Sequence, residues 1–173
     1  MIITINLDNT ITSYDDDVQA YLELNPPAPG HNVAATIAQG YAQGLLKNLK
    51  PARGASEVLW ELNNQGHHIR IFVNRFILHG QNHKVIAHTA EWLDRNDIPY
   101  REIFFLTTNP LVHTHLHIDA DPRIISLLKD QTTIVKYATP KNDHVEGNFT
   151  VTNWEEVLEL VERLDPNRRP INV

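Results

Sequence analysis

The side chains that could bind a ligand or take part in chemistry stand at, or just past, the ends of apolar segments of the chain. They offer carboxylates, one guanidinium and several neutral amides and hydroxyls. The residues are Asn6, Asp8, Asn74, Arg75, Thr107, Thr108 and Asp119. Ligands of open parallel sheets bind beyond the carboxyl ends of the strands. If the apolar segments are parallel strands, these residues therefore mark one candidate site at that edge of the sheet.

Two further clusters could bind a cation. His113, His115 and His117 alternate, so on a strand they would share one face and could bind Zn²⁺ or Ni²⁺. Side chains at i and i+2 do not by themselves converge to tetrahedral distances, and no fourth ligand has a suitable spacing, so a structural role is preferred. The run Asp15-Asp16-Asp17 could be a cation patch, but a solvated helix start beside the positive end of the helix dipole is preferred.

The aromatic residues are interpreted mainly as core. The three tryptophans lie on the apolar faces of predicted helices and are expected to anchor the core: Trp60, Trp92 and Trp154. Tyr41 is the best candidate to cover a bound base.

The elements that position these residues alternate between strands and helices. β-Branched and apolar runs predict strands over residues 2–7, 69–73, 103–106, 116–118, 132–137 and 149–151. Apolar residues at helical spacing predict helices over residues 14–24, 33–45, 56–65 and 82–96, with Ile86 and Trp92 among the inward residues of the last. Asp121 and Pro122 predict the start of another helix, and residues 152–155 form a capping box that opens the final one.

This alternation predicts an α/β fold with a doubly wound, mainly parallel sheet, because parallel crossovers usually contain a helix and cover both faces. A chain of 173 residues suits one domain. The helices between about residues 14 and 50 are predicted to be a small cap inserted within that domain.

Composition limits the kinds of partner. A net charge of −6 and the lack of clustered Lys and Arg argue against nucleic acid and anionic membranes as partners. The absence of cysteine excludes disulfides and cysteine zinc sites, and it is compatible with the expected cytoplasmic location. No apolar run approaches the length of a membrane span.

The order of motifs resembles the haloacid dehalogenase (HAD) superfamily, whose first strand ends in Asp-x-Asp-x-Thr or Val. Here that strand ends in Asn6-Leu7-Asp8-Asn9-Thr10. The spacing of later segments, among them Leu49-Lys-Pro51-Ala-Arg-Gly54, Leu116-His-Ile-Asp119 and Thr152-Asn-Trp154, is similar to the 5′(3′)-deoxyribonucleotidases, the cytosolic type C nucleotidases. The resemblance covers nearly the whole chain and implies the HAD-like Rossmannoid fold.

The resemblance also implies catalytic roles, of which one is altered here. In that family the first aspartate attacks phosphorus and the second is the general acid and base. Asn6 therefore stands at the nucleophile position, whereas Asp8 keeps the acid–base position. A neutral amide cannot form the acyl-phosphate intermediate, and loss of a covalent nucleophile in other hydrolases costs on the order of 10⁴-fold or more.

The phosphate and metal positions implied by the resemblance are altered as well. Asn74 takes the Ser/Thr position and, with Arg75 and Thr10, is a candidate phosphate-binding residue. The lysine position falls at Pro110 or Asn109, neither of which carries a charge. The family uses Mg²⁺, and here Asp8, through its backbone carbonyl, and Asp119 are the candidate metal ligands with Asn6. Ala120 stands where a second acid is usual, so the site is weak for a hard cation.

Two functional hypotheses follow from the resemblance. The first is a nucleotidase or phosphatase relative that has lost catalysis and binds a phosphorylated, nucleotide-like small molecule or a protein partner. The alternative is an active Mg²⁺-dependent phosphatase or deoxyribonucleotidase in which Arg75 supplies the missing positive charge.

Overall fold

The fold is built around one sheet of six parallel strands. The computed structural model describes residues 1–30, 32–75, 82–105 and 113–165. The strands are β1 (Ile2–Asn6), β2 (His68–Val73), β3 (Glu102–Phe105), β4 (Leu116–Asp119), β5 (Thr133–Tyr137) and β6 (Phe149–Val151). Their order across the sheet is β3-β2-β1-β4-β5-β6, and every pairing is parallel. The predicted doubly wound parallel sheet is confirmed.

The helices lie close to their predicted positions. They are α1 (Tyr14–Leu24), α2 (Val33–Ala42), α3 (Ala55–Asn64), α4 (Asn82–Arg95), α5 (Pro122–Leu128) and α6 (Trp154–Leu164). Short 3₁₀ turns occupy Leu45–Lys47 and Pro140–Asn142. Gly66 follows α3 with a φ of +85°, the left-handed conformation that ends many helices and that glycine adopts without strain. The described residues contain no helix that is long and apolar enough to cross a membrane.

The two faces of the sheet carry cores of different size. Ile3, Ile5 and Ile118 point to the larger core, which α3, α4 and α6 cover. Because strand side chains alternate, the intervening residues point to the other face, where α5 packs on Phe72 and Ile134 in a smaller core. This alternation also places Asn6 and Asp119 on the smaller face.

The segment between β1 and α3 contains the two predicted helices. An antiparallel bridge between Thr12 and Pro51 joins the points where it leaves and rejoins the sheet layer. Inside it, α1 contacts α2, and the 3₁₀ turn Leu45–Lys47 packs on α4. The helices of residues 14–50 are where the sequence predicted them, and the role of that segment as a cap stays a prediction.

Three local predictions are wrong. Trp60 is 39% exposed because it lies beside the buried stripe of α3, and its indole N–H donates to the carbonyl of Asp97 at 3.0 Å. Ile86 is 46% exposed because it lies outside the buried stripe of α4. The N-cap of α6 is Asn153, one residue later than predicted, since its side chain accepts from the backbone N–H of Glu156 at 2.9 Å.

Candidate functional site

A cleft opens at the carboxyl edge of the sheet, as the positions of the polar residues predicted. Its volume is about 290 Å³. It is lined by Asn6, Asp8, Asn9, Tyr14, Asp15, Asn74, Ala120, Asp121, Pro122, Arg123, Thr139 and Lys141. Three of the predicted residues, Asn6, Asp8 and Asn74, therefore meet here. They do so because β1 and β2 are parallel neighbours that end at the same edge.

Asn6 joins a buried hydrogen-bond chain on the floor of the cleft. Its Nδ2 donates to Oδ1 of Asp119 at 2.8 Å, and its Oδ1 accepts from the backbone N–H of Asp8 at 3.3 Å. Asp119 is fully buried, and its Oδ2 lies 2.8 Å from Nε2 of the equally buried His117. The N–H of Asp121 also donates to Oδ1 of Asp119, at 2.7 Å. The Asp119 carboxylate thus has three protein partners.

Asp8 forms an ion pair with Arg75. Nε of Arg75 lies 3.0 Å from both oxygens of Asp8, and Nη2 lies 2.7 Å from Oδ1. The third nitrogen, Nη1, donates to Oγ1 of Thr89 at 2.7 Å, and the guanidinium carbon lies 5.7 Å from the centre of the Tyr14 ring. The Arg75 side chain is only 1% exposed. Arg75 therefore reaches the cleft through Asp8, since all three nitrogens bond to protein acceptors.

Thr10 lies away from this cleft. It is fully buried and borders an adjacent cavity of about 320 Å³. Its carbonyl accepts from the indole N–H of Trp154 at 3.2 Å. The two cavities share Asn9, Asp15, Thr139 and Lys141. Of the three predicted phosphate-binding residues, Asn74 thus lines the cleft, whereas Thr10 borders the adjacent cavity and Arg75 is buried behind Asp8.

The sequence analysis missed two cations at the cleft. Nζ of Lys141 lies 2.6 Å from Asp15, and Nη2 of Arg123 lies 2.7 Å from Asp121. Both cations are exposed, with side chains 71% and 82% accessible. Burial alone would raise the pKa of Asp121, but the hydrogen bonds from Arg123 outweigh it and hold that pKa below its usual value. The strand-end rule could have found Lys141, because it follows β5 closely.

The acidic run at the start of α1 is less solvated than predicted. Asp15 borders the cleft and pairs with Lys141. Asp17 accepts from the backbone N–H of Lys50 at 2.6 Å, which ties α1 to the end of the inserted segment. Only Asp16 is exposed. The predicted helix start is confirmed, since all three carboxylates lie in the first turn of α1. The expected solvation is wrong for Asp17, whose side chain is 10% exposed, whereas Asp15 is 34% exposed and stays partly hydrated beside Lys141.

Tyr14, and not Tyr41, borders the cleft. Tyr41 is 1% exposed, and its hydroxyl is hydrogen-bonded to that of Tyr14. Burial and the neighbouring Tyr41 raise the pKa of Tyr14, so its hydroxyl stays protonated. The proposal that Tyr41 covers a bound base does not agree with this burial, whereas the ring of Tyr14 lies in the cleft wall.

The three alternating histidines do not form a common cluster. β4 begins at Leu116, so His113 and His115 precede the strand. Nδ1 of His115 accepts from the N–H of Ile2 at 3.0 Å, and His117 is buried against Asp119. In the described ranges, no group of three His, Asp or Glu side chains is arranged to hold a metal ion.

The residues at the cleft do not fit a Mg²⁺ ion. Mg²⁺ requires oxygen ligands at about 2.0–2.1 Å in near-octahedral geometry. Both oxygens of Asp119 already have protein partners, Asn6 and Asp121 on Oδ1 and His117 on Oδ2. The carboxylate of Asp8 pairs with Arg75, which leaves only the predicted backbone carbonyl of Asp8 as a ligand, too few oxygens for Mg²⁺. Asn6 turns its N–H₂ toward Asp119 and its oxygen toward an N–H. The predicted strand-end residues Thr107 and Thr108 and the lysine-equivalent positions 109 and 110 lie outside the described residues.

The fold and the position of the cleft define a HAD-like α/β protein. A structure of a HAD-superfamily hydrolase from Ehrlichia chaffeensis is similar, with a TM-score of 0.54, 12% identity and coverage of 94% of this chain and 96% of that one. A D,D-heptose 1,7-bisphosphate phosphatase from B. bronchiseptica, complexed with magnesium and phosphate, has a TM-score of 0.61, 10% identity and coverage of 94% and 99%. Such low identities support the fold alone.

The sequence comparisons identify the family. The profile described as 5′ nucleotidase, deoxy (pyrimidine), cytosolic type C protein matches residues 27–165, and the chain belongs to this family. A curated protein from Chlorobaculum tepidum, named "Putative 5′(3′)-deoxyribonucleotidase", is 24% identical over 118 residues. The match covers 68% of this chain and 58% of that relative's length. The resemblance inferred from the motifs is confirmed.

Proposed function

We propose that this protein binds a phosphorylated, nucleotide-like small molecule in the cleft and does not transfer its phosphoryl group. The supporting observation is the state of Asn6, a neutral amide at the nucleophile position with its N–H₂ directed at Asp119. An amide nitrogen in this arrangement is a donor, and it has no carboxylate oxygen with which to attack phosphorus. The proposed function therefore includes no covalent phosphoryl intermediate on Asn6.

Charge at the rim of the cleft supports phosphate binding. Arg123 and Lys141 are exposed cations whose present partners are carboxylates on the same rim. A phosphate dianion can take over these hydrogen bonds, because charge-assisted contacts to phosphate resemble those to carboxylate. Asn74 faces the same space and offers an amide donor. We assign phosphate contact to these three side chains.

The other predicted site residues take supporting roles in this proposal. Arg75 orients Asp8, and Asp8 limits how close an anion approaches the cleft floor. Asp119 holds the Asn6 amide. Thr10 belongs to the adjacent cavity, which adjoins the Lys141 side of the cleft and offers space for a part of the ligand other than the phosphate. We further propose that the helices of residues 14–50 form a cap over the ligand and that the protein is cytoplasmic.

The test combines binding with turnover. Deoxynucleoside monophosphates and inorganic phosphate are titrated by calorimetry into the wild type, Lys141→Gln and Lys129→Gln. Lys129 is an exposed control lysine away from the cleft. Loss of a charged hydrogen bond of about 1.5–3 kcal/mol predicts roughly 10–100-fold weaker binding for Lys141→Gln and no change for Lys129→Gln.

Phosphate release from the same compounds with Mg²⁺ is then measured for the wild type and Asp8→Ala. The proposal expects no release by the wild type. Release that disappears in Asp8→Ala would establish an unusual phosphatase and overturn the proposal. A wild type that binds none of the monophosphates also overturns it, and a protein partner then becomes the hypothesis to pursue.

A further inference from the structure

The carboxylate of Asp8 on the cleft floor and that of Asp119, buried behind Asn6, are neutralised by the protein itself. Asp119 is fully buried, and the Asp8 side chain is only 13% exposed. Buried carboxylates require partners, since an unpaired buried charge is costly. In a metal-dependent site a cation meets this need. Here protein donors contact both groups.

We infer that Arg75 and the Asn6 amide take the place of a divalent cation in this site, so that the cleft binds its phosphorylated ligand without a metal ion. The ligand in this inference rests on the proposed function, whereas the replacement of the cation rests on the geometry of the floor alone.

Arg75 acts as a fixed positive charge beside Asp8. Two of its nitrogens contact the carboxylate, and the third is anchored on Thr89 of α4. Thr89 is itself fixed, because its hydroxyl donates to the carbonyl of Val85 at 2.7 Å. A divalent ion on the carboxylate of Asp8 would have to displace this anchored guanidinium. An ion on the backbone carbonyl of Asp8 would still be repelled by the positive charge of Arg75, since like charges repel strongly where water screens them little.

The orientation of the Asn6 amide is fixed from both ends. Its N–H₂ faces a carboxylate oxygen of Asp119, and its oxygen faces the N–H of Asp8. A flipped amide would set oxygen against oxygen and N–H₂ against N–H, losing both hydrogen bonds. The side chain therefore directs positive partial charge at Asp119, where a cation would otherwise lie. It cannot offer its oxygen to a metal ion without losing these hydrogen bonds.

Asn6→Asp reverses this arrangement. The substitution sets a carboxylate oxygen where the amide donor now lies, 2.8 Å from Asp119. Two carboxylates at that distance cannot both stay charged unless a proton or a cation lies between them. The variant should therefore need Mg²⁺, whereas the wild type should not.

The experiment compares thermal unfolding of the wild type, Asn6→Asp and Asn64→Asp in EDTA and in Mg²⁺. Asn64 is exposed at the end of α3 and controls for the added charge. The wild type and Asn64→Asp should change by about 1 °C or less on adding Mg²⁺. Asn6→Asp should melt several degrees lower in EDTA and recover most of the loss in Mg²⁺.

A second variant tests the share of Arg75. In the Asn6→Asp background, Arg75→Met removes the positive charge beside Asp8 and should tighten Mn²⁺ binding, followed by electron paramagnetic resonance, by about tenfold or more. Unchanged Mn²⁺ affinity would remove Arg75 from the inference. If Asn6→Asp neither loses stability in EDTA nor responds to Mg²⁺, Asn6 does not replace a cation.

Measurements on the wild-type protein test whether the unaltered site binds Mg²⁺. Stabilisation of the wild type by Mg²⁺ that disappears in Asp119→Asn would overturn the inference directly. The affinity of the wild type for monophosphates should be the same in EDTA and in Mg²⁺ within about twofold. If a metal ion bridged the protein and the phosphate, its removal should weaken binding by much more than this. Failure of all monophosphates to bind would count against the proposed function and would leave the metal measurements intact.

Discussion

The Asp8–Arg75 ion pair should contribute far more to stability than the Asp15–Lys141 pair at the same cleft. The two pairs have nearly equal N–O distances, 2.7 and 2.6 Å. They differ in exposure, with side chains 1% and 13% accessible in the first pair and 71% and 34% in the second. Because water screens charges strongly, burial and not distance should determine the coupling energy.

The magnitudes follow from what each substitution leaves behind. Asp8→Ala leaves a guanidinium with almost no access to water, which should cost about 3–5 kcal/mol. Arg75→Ala leaves a carboxylate that the cleft partly hydrates, and it also removes the bond to Thr89. Allowing for that hydration, the Asp8–Arg75 coupling should be about 2–3 kcal/mol, against about 0.2–1 kcal/mol for Asp15–Lys141.

Two double-mutant cycles measure these couplings. Each single and double alanine variant is unfolded in urea, and the free energies of unfolding are compared at constant m-value. If a variant is too unstable for this method, thermal unfolding at several pH values provides the same comparison. A coupling for Asp8–Arg75 that is no larger than that for Asp15–Lys141 would refute the argument that the first pair is shielded from water.

Three further predictions concern the rest of the fold. Trp154→Ala removes a fully buried ring whose N–H bonds to Thr10 and should cost about 3–5 kcal/mol, measured by urea unfolding. Gly66→Ala should cost about 1 kcal/mol by the same assay, since no atom lies within 4 Å of the new Cβ and only the positive φ opposes it. Burial and the nearby N-terminal ammonium lower the pKa of His67 below its usual 6.5. The unfolded chain then binds a proton first as pH falls, so the free energy of unfolding should decrease below about pH 6.5, with a smaller slope in His67→Gln.

The sequence predicted the sheet well because the strands are short runs rich in β-branched and apolar residues, although polar side chains such as Arg70 in β2 and Lys136 in β5 interrupt some of them. Such runs are typical of parallel strands that are buried on both faces. The strand-end rule then identified Asn6, Asp8 and Asn74 as neighbours, and the structure brings them to one cleft. These successes depend on local composition and on a general property of parallel sheets, neither of which requires knowledge of distant contacts.

The parts of the site that the sequence did not reveal depend on long-range contacts. Lys141 meets Asp15 across 126 positions of the chain, so neither residue alone indicates the pair. The partner of Arg75 was equally hidden, since its position next to Asn74 suggested a phosphate contact and the fold turns it to Asp8. Trp60 was misplaced because helical spacing does not show how wide the buried stripe of α3 is.

The residues at and behind the floor of the cleft form one consistent electrostatic unit. β2, β1 and β4 are adjacent in the sheet, so their carboxyl ends bring residues 75, 6 and 119 together from three distant parts of the chain. With a carboxylate at position 6, three acids would face the single guanidinium of Arg75, and the excess negative charge would require a cation. With Asn6, Asp8 pairs with Arg75, and Asp119 accepts hydrogen bonds from the Asn6 amide and from the N–H of Asp121. The second oxygen of Asp119 lies 2.8 Å from Nε2 of His117. The substitution at position 6 therefore removes a charge and supplies a donor at the same point, which explains how this floor can be buried and stable without an added ion.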